Sequence, residues 1–246
     1  MANSPKRVLV TRPEPGASET AQRLETLGFL PLKLPLHQIR TLPANAGAIP
    51  GKIAAVAITS ANAVRRAQRA LLERLSNLPC FAVGEATATT ARSASFSNVI
   101  EGGGDAETLA ETIIARRPAG PVIYLCGRVR RPLFERRLTD AGVTVTPIET
   151  YDTAAIVRTA EELSDAVGTE PVDYALVYSA NAAEALVAAM GQAELRESFK
   201  NTIFACISTR IAGVVAGKIS RRILVAGEPS ETALLNMLRG TADEAS

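Results

Sequence analysis

The sequence contains no tryptophan, and aromatic residues make up only 4% of its 246 positions. This shortage weighs against a protein that stacks nucleic-acid bases or a flavin ring on aromatic side chains. His37 is the sole histidine, so a histidine-based metal site or a Ser-His-Asp triad would depend on that residue alone. Because His37 lies in a proline-bearing stretch at 35–38, we expect a solvated linker histidine. No metal site is predicted.

An excess of charge of one sign is also missing. The chain has 27 Lys and Arg against 25 Asp and Glu, a balance that argues against a nucleic-acid partner. It has no signal-like apolar segment and no run of about 18 apolar residues, which predicts a cytoplasmic protein with no membrane partner. Cys80, Cys126 and Cys206 lie far apart in or beside apolar runs and are predicted to be buried, reduced thiols.

Short apolar runs alternate with helical patterns along almost the whole chain. The runs are rich in Val, Ile and Leu and do not alternate with polar residues, which is typical of parallel strands buried on both faces. This order predicts an α/β fold with open parallel sheets and right-handed crossovers. A continuous helix is predicted over 61–75, and a polar linker over about 161–171.

The chain is internally repeated. The motif SANA occurs at 60–63 and again at 179–182, each time between a predicted strand and a predicted helix. Further matches join Arg23 and Gly28 to Arg137 and Gly142, FAV at 81–83 to FAC at 204–206, and Glu107-Thr108 to Glu231-Thr232. The repeat predicts two similar domains with a ligand-binding cleft between them.

Residues that follow the predicted strands form the candidate binding set. In open parallel sheets, ligands bind beyond the carboxyl ends of the strands. Ser, Thr or Gly stands at nearly every such exit, where side chains cap helices and free backbone N–H groups attract anions. Each exit alone is typical of an ordinary helix cap, but their recurrence predicts a ligand with several carboxylates or phosphates. The set comprises Thr11, Arg12, Thr59, Ser60, Ala61, Asn62, Gly84, Thr87, Gly127, Arg128, Ser179, Ala180, Asn181, Ser208, Thr209 and Arg210.

Tyr151 is the candidate catalytic residue. It lies in the motif ETYDT at 149–153, where the chain is predicted to cross between domains. A phenol there either donates a proton to a leaving oxygen or serves only in packing. The glycines at 102–104 match neither a Rossmann fingerprint nor a P-loop, so no nucleotide cofactor is predicted.

Seven motifs in order resemble the uroporphyrinogen-III synthase family, from about Arg7 to Leu238. They are RVLVTRP at 7–13, TSANAV at 59–64, VGEATA at 83–88, LCGR at 125–128, ETYDT at 149–153, YSANA at 178–182 and ISTRIA at 207–212.

The resemblance implies a bilobed fold of two flavodoxin-like, doubly wound parallel-sheet domains joined by a two-stranded linker. One domain would combine residues 1–36 with 152–246, and the other would be 37–151, because the repeats exchange their first strand-helix-strand segments.

The implied reaction uses no cofactor. Hydroxymethylbilane, a linear tetrapyrrole, loses its terminal hydroxyl as water and closes through a spiro intermediate, so that the last pyrrole ring is inverted. Tyr151 is the implied assistant to hydroxyl departure, and Thr59, Ser60, Thr87, Ser179, Ser208 and Thr209 match positions near the tetrapyrrole. The enzyme is expected to be a monomer, and the preceding pathway enzyme is expected to hand over the substrate.

Two other functions fit an α/β chain of this kind. A two-lobed module could bind or sense a small anion without catalysis. A nucleotide-dependent enzyme would need a phosphate-binding fingerprint after the first strand, and TRPEPG at 11–16 does not supply one.

Overall fold

The computed structural model describes residues 4–44, 49, 51–218 and 222–243. The chain forms two compact units: a discontinuous unit, Met1–Gln38 with Ala154–Ser246, and an inserted unit, Ile39–Thr153. These units are groups of residues in mutual contact. The domains expected from the resemblance, 1–36 with 152–246 and 37–151, remain a sequence-based prediction.

Strands and helices alternate as the apolar pattern predicts. The strands are β1 Arg7–Val10, β2 Leu30–Lys33, β3 His37–Thr41, β4 Ala55–Ile58, β5 Cys80–Ala82, β6 Val99–Glu101, β7 Val122–Gly127, β8 Val145–Ala155, β9 Tyr174–Val177, β10 Ile203–Cys206 and β11 Ile223–Val225. The helices are α1 Gly16–Thr26, α2 Ala61–Arg65, α3 Arg69–Leu75, α4 Glu85–Ser93, α5 Ala106–Arg116, α6 Leu133–Asp140, α7 Ala160–Val167, α8 Ala180–Met190, α9 Thr209–Ala216 and α10 Glu231–Asp243, with a 3₁₀ helix at Ala193–Leu195.

The discontinuous unit is built on a parallel sheet of order β11-β10-β9-β1-β2. Successive side chains of β1 point to opposite faces, as strand geometry requires. Val8 and Val10 pack with α1 and α10, whereas Leu9 packs with α7, α8 and α9. The strand order is that of doubly wound, flavodoxin-like sheets.

The inserted unit has a sheet of order β3-β8-β7-β4-β5-β6, in which β4 to β8 pair in parallel. Val56 and Ile58 face α2 to α4, and Ala57 faces α5 and α6. The edge strand β3 lies beside β8. The predicted α/β class with two similar parallel-sheet domains is confirmed.

The two sequence repeats have exchanged their first strand-helix-strand segments. Segment β1-α1-β2 belongs to the first repeat but pairs with β9 of the second, and β7-α6-β8 of the second repeat pairs with β4 of the first. The two sheets have the same register where these segments pair. Val8 pairs with Tyr174, and Val122 pairs with Ala55. Ala55 is the repeat counterpart of Tyr174, 119 positions earlier in the chain.

One predicted repeat match is wrong by one residue. Val56 pairs with Cys80, but its repeat counterpart Ala175 pairs with Phe204, so Cys80 and not Phe81 is the structural counterpart of Phe204. Phe81 packs with α5 and α6 on one face of its sheet. Phe204 packs with α8 and α9, on the face that corresponds to the α2 to α4 face of the inserted unit. A shift of one residue along a strand reverses the face, which the motif letters FAV and FAC do not reveal.

The helix predicted over 61–75 is two helices. Helix α2 ends at Arg65 and α3 begins at Arg69, with Gln68 extended at φ −65° and ψ 140°. The only local signal against a continuous helix is the pair of like charges at Arg65 and Arg69, one turn apart, and their repulsion costs only about 0.2–0.5 kcal/mol.

The linker predicted over 161–171 is also wrong, because α7 occupies most of it. Thr159 and Glu162 form a reciprocal capping box at its start, and Leu163 and Val167 are buried. His37 likewise differs from its prediction as a solvated linker residue. It is half-buried in β3, and burial lowers the pKa of its imidazole.

Of the helices described in residues 4–44, 51–218 and 222–243, none combines the length and apolar character needed to cross a membrane.

Candidate active site

A cavity of about 570 Å³ opens in the inserted unit near the carboxyl ends of its strands. Thr59 and Ser60 follow β4, Tyr124 comes from β7, and Tyr151 comes from β8. The first residues of α5 and α6 supply another part of the wall. The cavity therefore brings together three residues predicted from the sequence: Thr59, Ser60 and Tyr151.

Thr59 is hydrogen-bonded to a tyrosine that is not among the predicted site residues. Its Oγ1 lies 2.8 Å from the hydroxyl of Tyr124. The partner of Tyr124 on β4 is Ala57, whose small side chain leaves room for the ring beside it. The ring packs against Phe134 at a centroid distance of 4.7 Å, and burial raises the pKa of Tyr124 to about 12.

Tyr151 owes its direction to a bulge in β8. Cys126 pairs with Glu149, but the next residue, Gly127, pairs with Tyr151, so Thr150 is an extra residue. A bulge of this kind changes where the following side chain points. Thr150 donates its buried hydroxyl to the carbonyl of Ala63, 2.8 Å away, which anchors the bulge to α2.

The ring of Tyr151 lies directly over Gly127. A Cβ at position 127 would stand 2.7 Å from Cζ and 3.0 Å from the hydroxyl oxygen of Tyr151. Burial raises the pKa of Tyr151, and a hydrogen bond with Ser60 only partly opposes that effect. The phenol is therefore neutral near pH 7 and able to donate a proton.

Ser60 caps α2 and lines the cavity beside Tyr151. Its Oγ accepts from the backbone N–H of Asn62 at 3.3 Å. The Ser60 hydroxyl keeps its own proton and a second lone pair, so it can serve Tyr151 or a ligand as well. The phenol of Tyr151 lines the cavity and has its own proton to donate there.

Charged side chains around the cavity are mostly paired with each other. Arg130 binds both carboxylate oxygens of Glu135 and also Glu149. Arg128, a predicted binding residue, lies 3.3 Å from Glu149 and 3.4 Å from Asp152. Hydrogen bonding by Arg130 is the main reason that the pKa of Glu149 is lowered. A substrate carboxylate would have to compete with these protein carboxylates for Arg128.

The remaining predicted residues of the inserted unit lie at helix starts and do not line the cavity. Ala61 and Asn62 form the first turn of α2, Gly84 is the extended residue before α4, and Thr87 is buried in the first turn of α4. Their contact with a ligand remains a prediction.

In the discontinuous unit, two predicted residues bind the protein itself. Thr11 is fully buried and donates its hydroxyl to the carbonyl of Leu176. Arg12 lies over the ring of Tyr178, 4.5 Å from its centroid, and pairs with Glu231 at 3.2 Å.

The other predicted residues of this unit mark two helix starts. Ser179 caps α8 by accepting from the N–H of Ala182, with Ala180 and Asn181 following it. Ser208 precedes α9 and makes no side-chain cap bond, and Thr209 and Arg210 begin the helix.

Three features of the site were not predicted from the sequence: Tyr124, Phe134 and the carboxylate partners of the arginines. Tyr124 falls inside an apolar strand, where the only signal was the need of a buried phenol for a hydrogen-bond partner. Within the described ranges, no cluster of three or more His, Cys, Asp or Glu side chains could hold a metal ion.

Comparison with known proteins identifies the family. The family model of uroporphyrinogen-III synthase HemD matches residues 18–236. The crystal structure of uroporphyrinogen-III synthetase from Helicobacter pylori 26695 aligns with a TM-score of 0.65 and 19% identity over 96% of this chain and 99% of that chain. A mutant uroporphyrinogen III synthase from the extremely thermophilic bacterium Thermus thermophilus aligns with a TM-score of 0.57 and 18% identity over 97% and 98% of the two chains. At these identities, the structures show a shared fold.

Comparison with curated protein sequences gives no significant match. The family model nevertheless spans most of the sequence, and the matched range contains the motifs at 59–64, 83–88, 149–153 and 207–212. The chain belongs to the uroporphyrinogen-III synthase family.

Proposed function

We propose that hydroxymethylbilane is activated in the cavity of the inserted unit, with Tyr151 as the proton donor. Membership of the family makes the chain a cofactor-independent, cyclising lyase of heme biosynthesis. Its reaction closes hydroxymethylbilane with loss of water and inversion of the terminal pyrrole ring, which gives uroporphyrinogen III. The site and the residue roles are our proposal.

The observation that carries the proposal is the environment of Tyr151. Its ring rests on Gly127, its side chain lies beside Ser60, and it lines the cavity. The phenol proton passes to the terminal hydroxyl of the substrate, which leaves as water. The carbon–oxygen bond breaks with its electron pair on oxygen, and an azafulvenium-type cation remains. A later proton loss from the closing ring returns the proton to the phenolate.

The rest of the task is conformational. Closure without the enzyme gives the uninverted isomer, so the site must favour attack at the substituted carbon of the last ring. Holding reactants in one geometry contributes roughly 7–11 kcal/mol in favourable cases. The starts of α4, α8 and α9, at Gly84, Ser179 and Ser208, are proposed to bind substrate carboxylates through backbone N–H groups.

Product analysis tests the function. Freshly prepared hydroxymethylbilane is incubated with the protein, with heat-denatured protein and with buffer, and the type I and type III isomers are separated by chromatography. We expect type III to dominate only with the native protein. An isomer ratio equal to that of the buffer control would contradict the function and would favour an anion-binding module.

Three further expectations accompany this function: the location, the oligomeric state and the source of the substrate. We propose a cytoplasmic monomer that takes its substrate from the preceding enzyme of the pathway. Light scattering on the purified protein tests the oligomeric state directly, with a mass near 25.9 kDa expected for one chain. A mass of twice that value would contradict the monomer.

A further inference from the structure

Tyr124 is a buried tyrosine whose hydroxyl meets another hydroxyl at the cavity wall. Only 3% of the residue is exposed, and its ring is fixed between the sheet and Phe134. Its oxygen lies 2.8 Å from Oγ1 of Thr59, and either atom has the geometry to be the donor. The direction of this bond decides what Thr59 offers to a ligand.

Chemistry favours Tyr124 as the donor. A phenol is a stronger hydrogen-bond donor and a weaker acceptor than an aliphatic alcohol. If Thr59 donated instead, the buried phenol proton would need a second acceptor, and the described part of the chain shows no other hydrogen bond from Tyr124. Burial, which raises the pKa of Tyr124 to about 12, also keeps this proton in place near pH 7.

Thr59 then has its own proton to give. Its oxygen is occupied by the phenol, and its half-buried side chain lines the cavity. A hydroxyl that accepts one hydrogen bond becomes a better donor in the next, because the bonds polarise each other. The strongest acceptor that a tetrapyrrole substrate presents is a carboxylate oxygen.

We infer that Tyr124 is a positioning residue that holds Thr59 as a hydrogen-bond donor to a carboxylate of the substrate. The inference rests on the proposed function, because it assumes that the tetrapyrrole occupies this cavity. Tyr124 and Thr59 serve binding, whereas Ser60 and Tyr151 serve departure of the hydroxyl. Loss of a hydroxyl from Tyr124 or Thr59 should therefore change KM, whereas loss of the Tyr151 hydroxyl should change kcat.

The test is a double-mutant cycle with Tyr124→Phe, Thr59→Ala and the combined variant. Tyr124→Phe removes the phenol hydroxyl but keeps the ring on Phe134. We expect KM to rise roughly 2- to 12-fold, the range for one hydrogen bond, while kcat changes by less than about twofold. In the Thr59→Ala background, Tyr124→Phe should have no further effect on KM.

Tyr174→Phe is the matched control. Tyr174 is another buried strand tyrosine, in the discontinuous unit, and its hydroxyl accepts from Thr241 at 3.3 Å. Its variant should keep the wild-type KM and kcat. If Tyr124→Phe fails to fold, Thr59→Ser decides the question, because it keeps the hydroxyl and should restore the KM that Thr59→Ala raises.

Three results would overturn the inference: an unchanged KM in Tyr124→Phe, the same factor in both backgrounds, or a Thr59→Ser variant no better than Thr59→Ala. None of these affects the proposed function as long as the wild-type protein still produces the type III isomer. Loss of that product preference in the wild type would instead show that the proposed function had failed.

Discussion

Gly127 controls the most important side chain of the candidate site. No other residue type leaves the space that the Tyr151 ring occupies, since a Cβ would lie 2.8 Å from Cε2 and 2.7 Å from Cζ. The ring cannot retreat easily, because it packs against the buried cluster around Ile148 and Val64. The glycine in the LCGR motif at 125–128 therefore has a steric reason to be there.

Gly127→Ala should displace Tyr151 and slow turnover. We expect kcat to fall by about tenfold to a hundredfold, since small displacements of reacting groups have effects of this size. Gly120→Ala is the matched control, because its Cβ would come no closer than 3.7 Å to Ala54. Steady-state kinetics on both variants check the prediction, which is refuted if Gly127→Ala keeps the kcat of Gly120→Ala.

At the residue scale, positions were easier to predict than partners. The sequence placed Arg12 and Arg128 at strand exits, where they do lie. It could not show that Arg12 meets Glu231, which is 219 residues away, or that Arg128 meets Glu149 and Asp152. Such contacts depend on packing between distant segments, so the role of both arginines toward the substrate remains a prediction.

The sequence contains a local signal for the start of helix α7, but the polar residues around it predicted a linker. The stretch at 159–162 reads Thr-Ala-Glu-Glu, the capping-box pattern, and Leu163 and Val167 follow at helical spacing. The surrounding polar residues suggested a linker instead. The bulge in β8 had no comparable signal, because neither Gly nor Pro marks Thr150 and its existence depends on pairing with β7.

Thr159→Ala should destabilise α7. The variant removes the hydroxyl that accepts from the N–H of Glu162, and we expect the free energy of unfolding to fall by about 1 kcal/mol. The contrasting variant is Ser208→Ala, because Ser208 stands before α9 without a side-chain cap bond and should change stability by less than about 0.5 kcal/mol. Urea unfolding measures both. Equal losses would show that the capping box of α7 is not the cause.

On the scale of the whole molecule, the repeat explains features of both units. Arg23 pairs with Glu231 in one unit, and the repeat counterparts Arg137 and Glu107 pair in the other. Gly28 and Gly142, also repeat counterparts, both follow a helix with positive φ, at +82° and +79°. The correspondence of these positions could be predicted from the sequence because residue identity survives in both copies. The exchange of segments was implied by the family resemblance alone, and the sheet order shows it.

The buried thiols should make the protein sensitive to alkali. Burial raises the pKa of Cys80 and Cys126 from 9.0 to about 12 and that of Cys206 to about 11. Above about pH 9, the unfolded chain loses thiol protons that the folded chain keeps, so the free energy of unfolding falls as pH rises. Each thiol lowers it by at most about 1.4 kcal/mol per pH unit, the limit reached well above pH 9.

Urea unfolding under reducing conditions, at steps between about pH 8 and pH 10, measures this effect. A variant with all three cysteines changed to alanine should lose less stability over the same range, because tyrosines such as Tyr124 begin to contribute only near pH 10. Wild-type stability that does not change between these pH values would contradict the explanation.

Proton donation by Tyr151 to the departing hydroxyl is the central claim, and the rate of type III formation by Tyr151→Phe tests it most directly. The variant keeps the ring over Gly127 and removes only the hydroxyl, and Tyr174→Phe serves as the control. General acid catalysis contributes about a hundredfold or more, so we predict a loss of that size in kcat, with the spontaneous type I isomer accumulating. A Tyr151→Phe variant that makes type III at the wild-type rate would contradict the account.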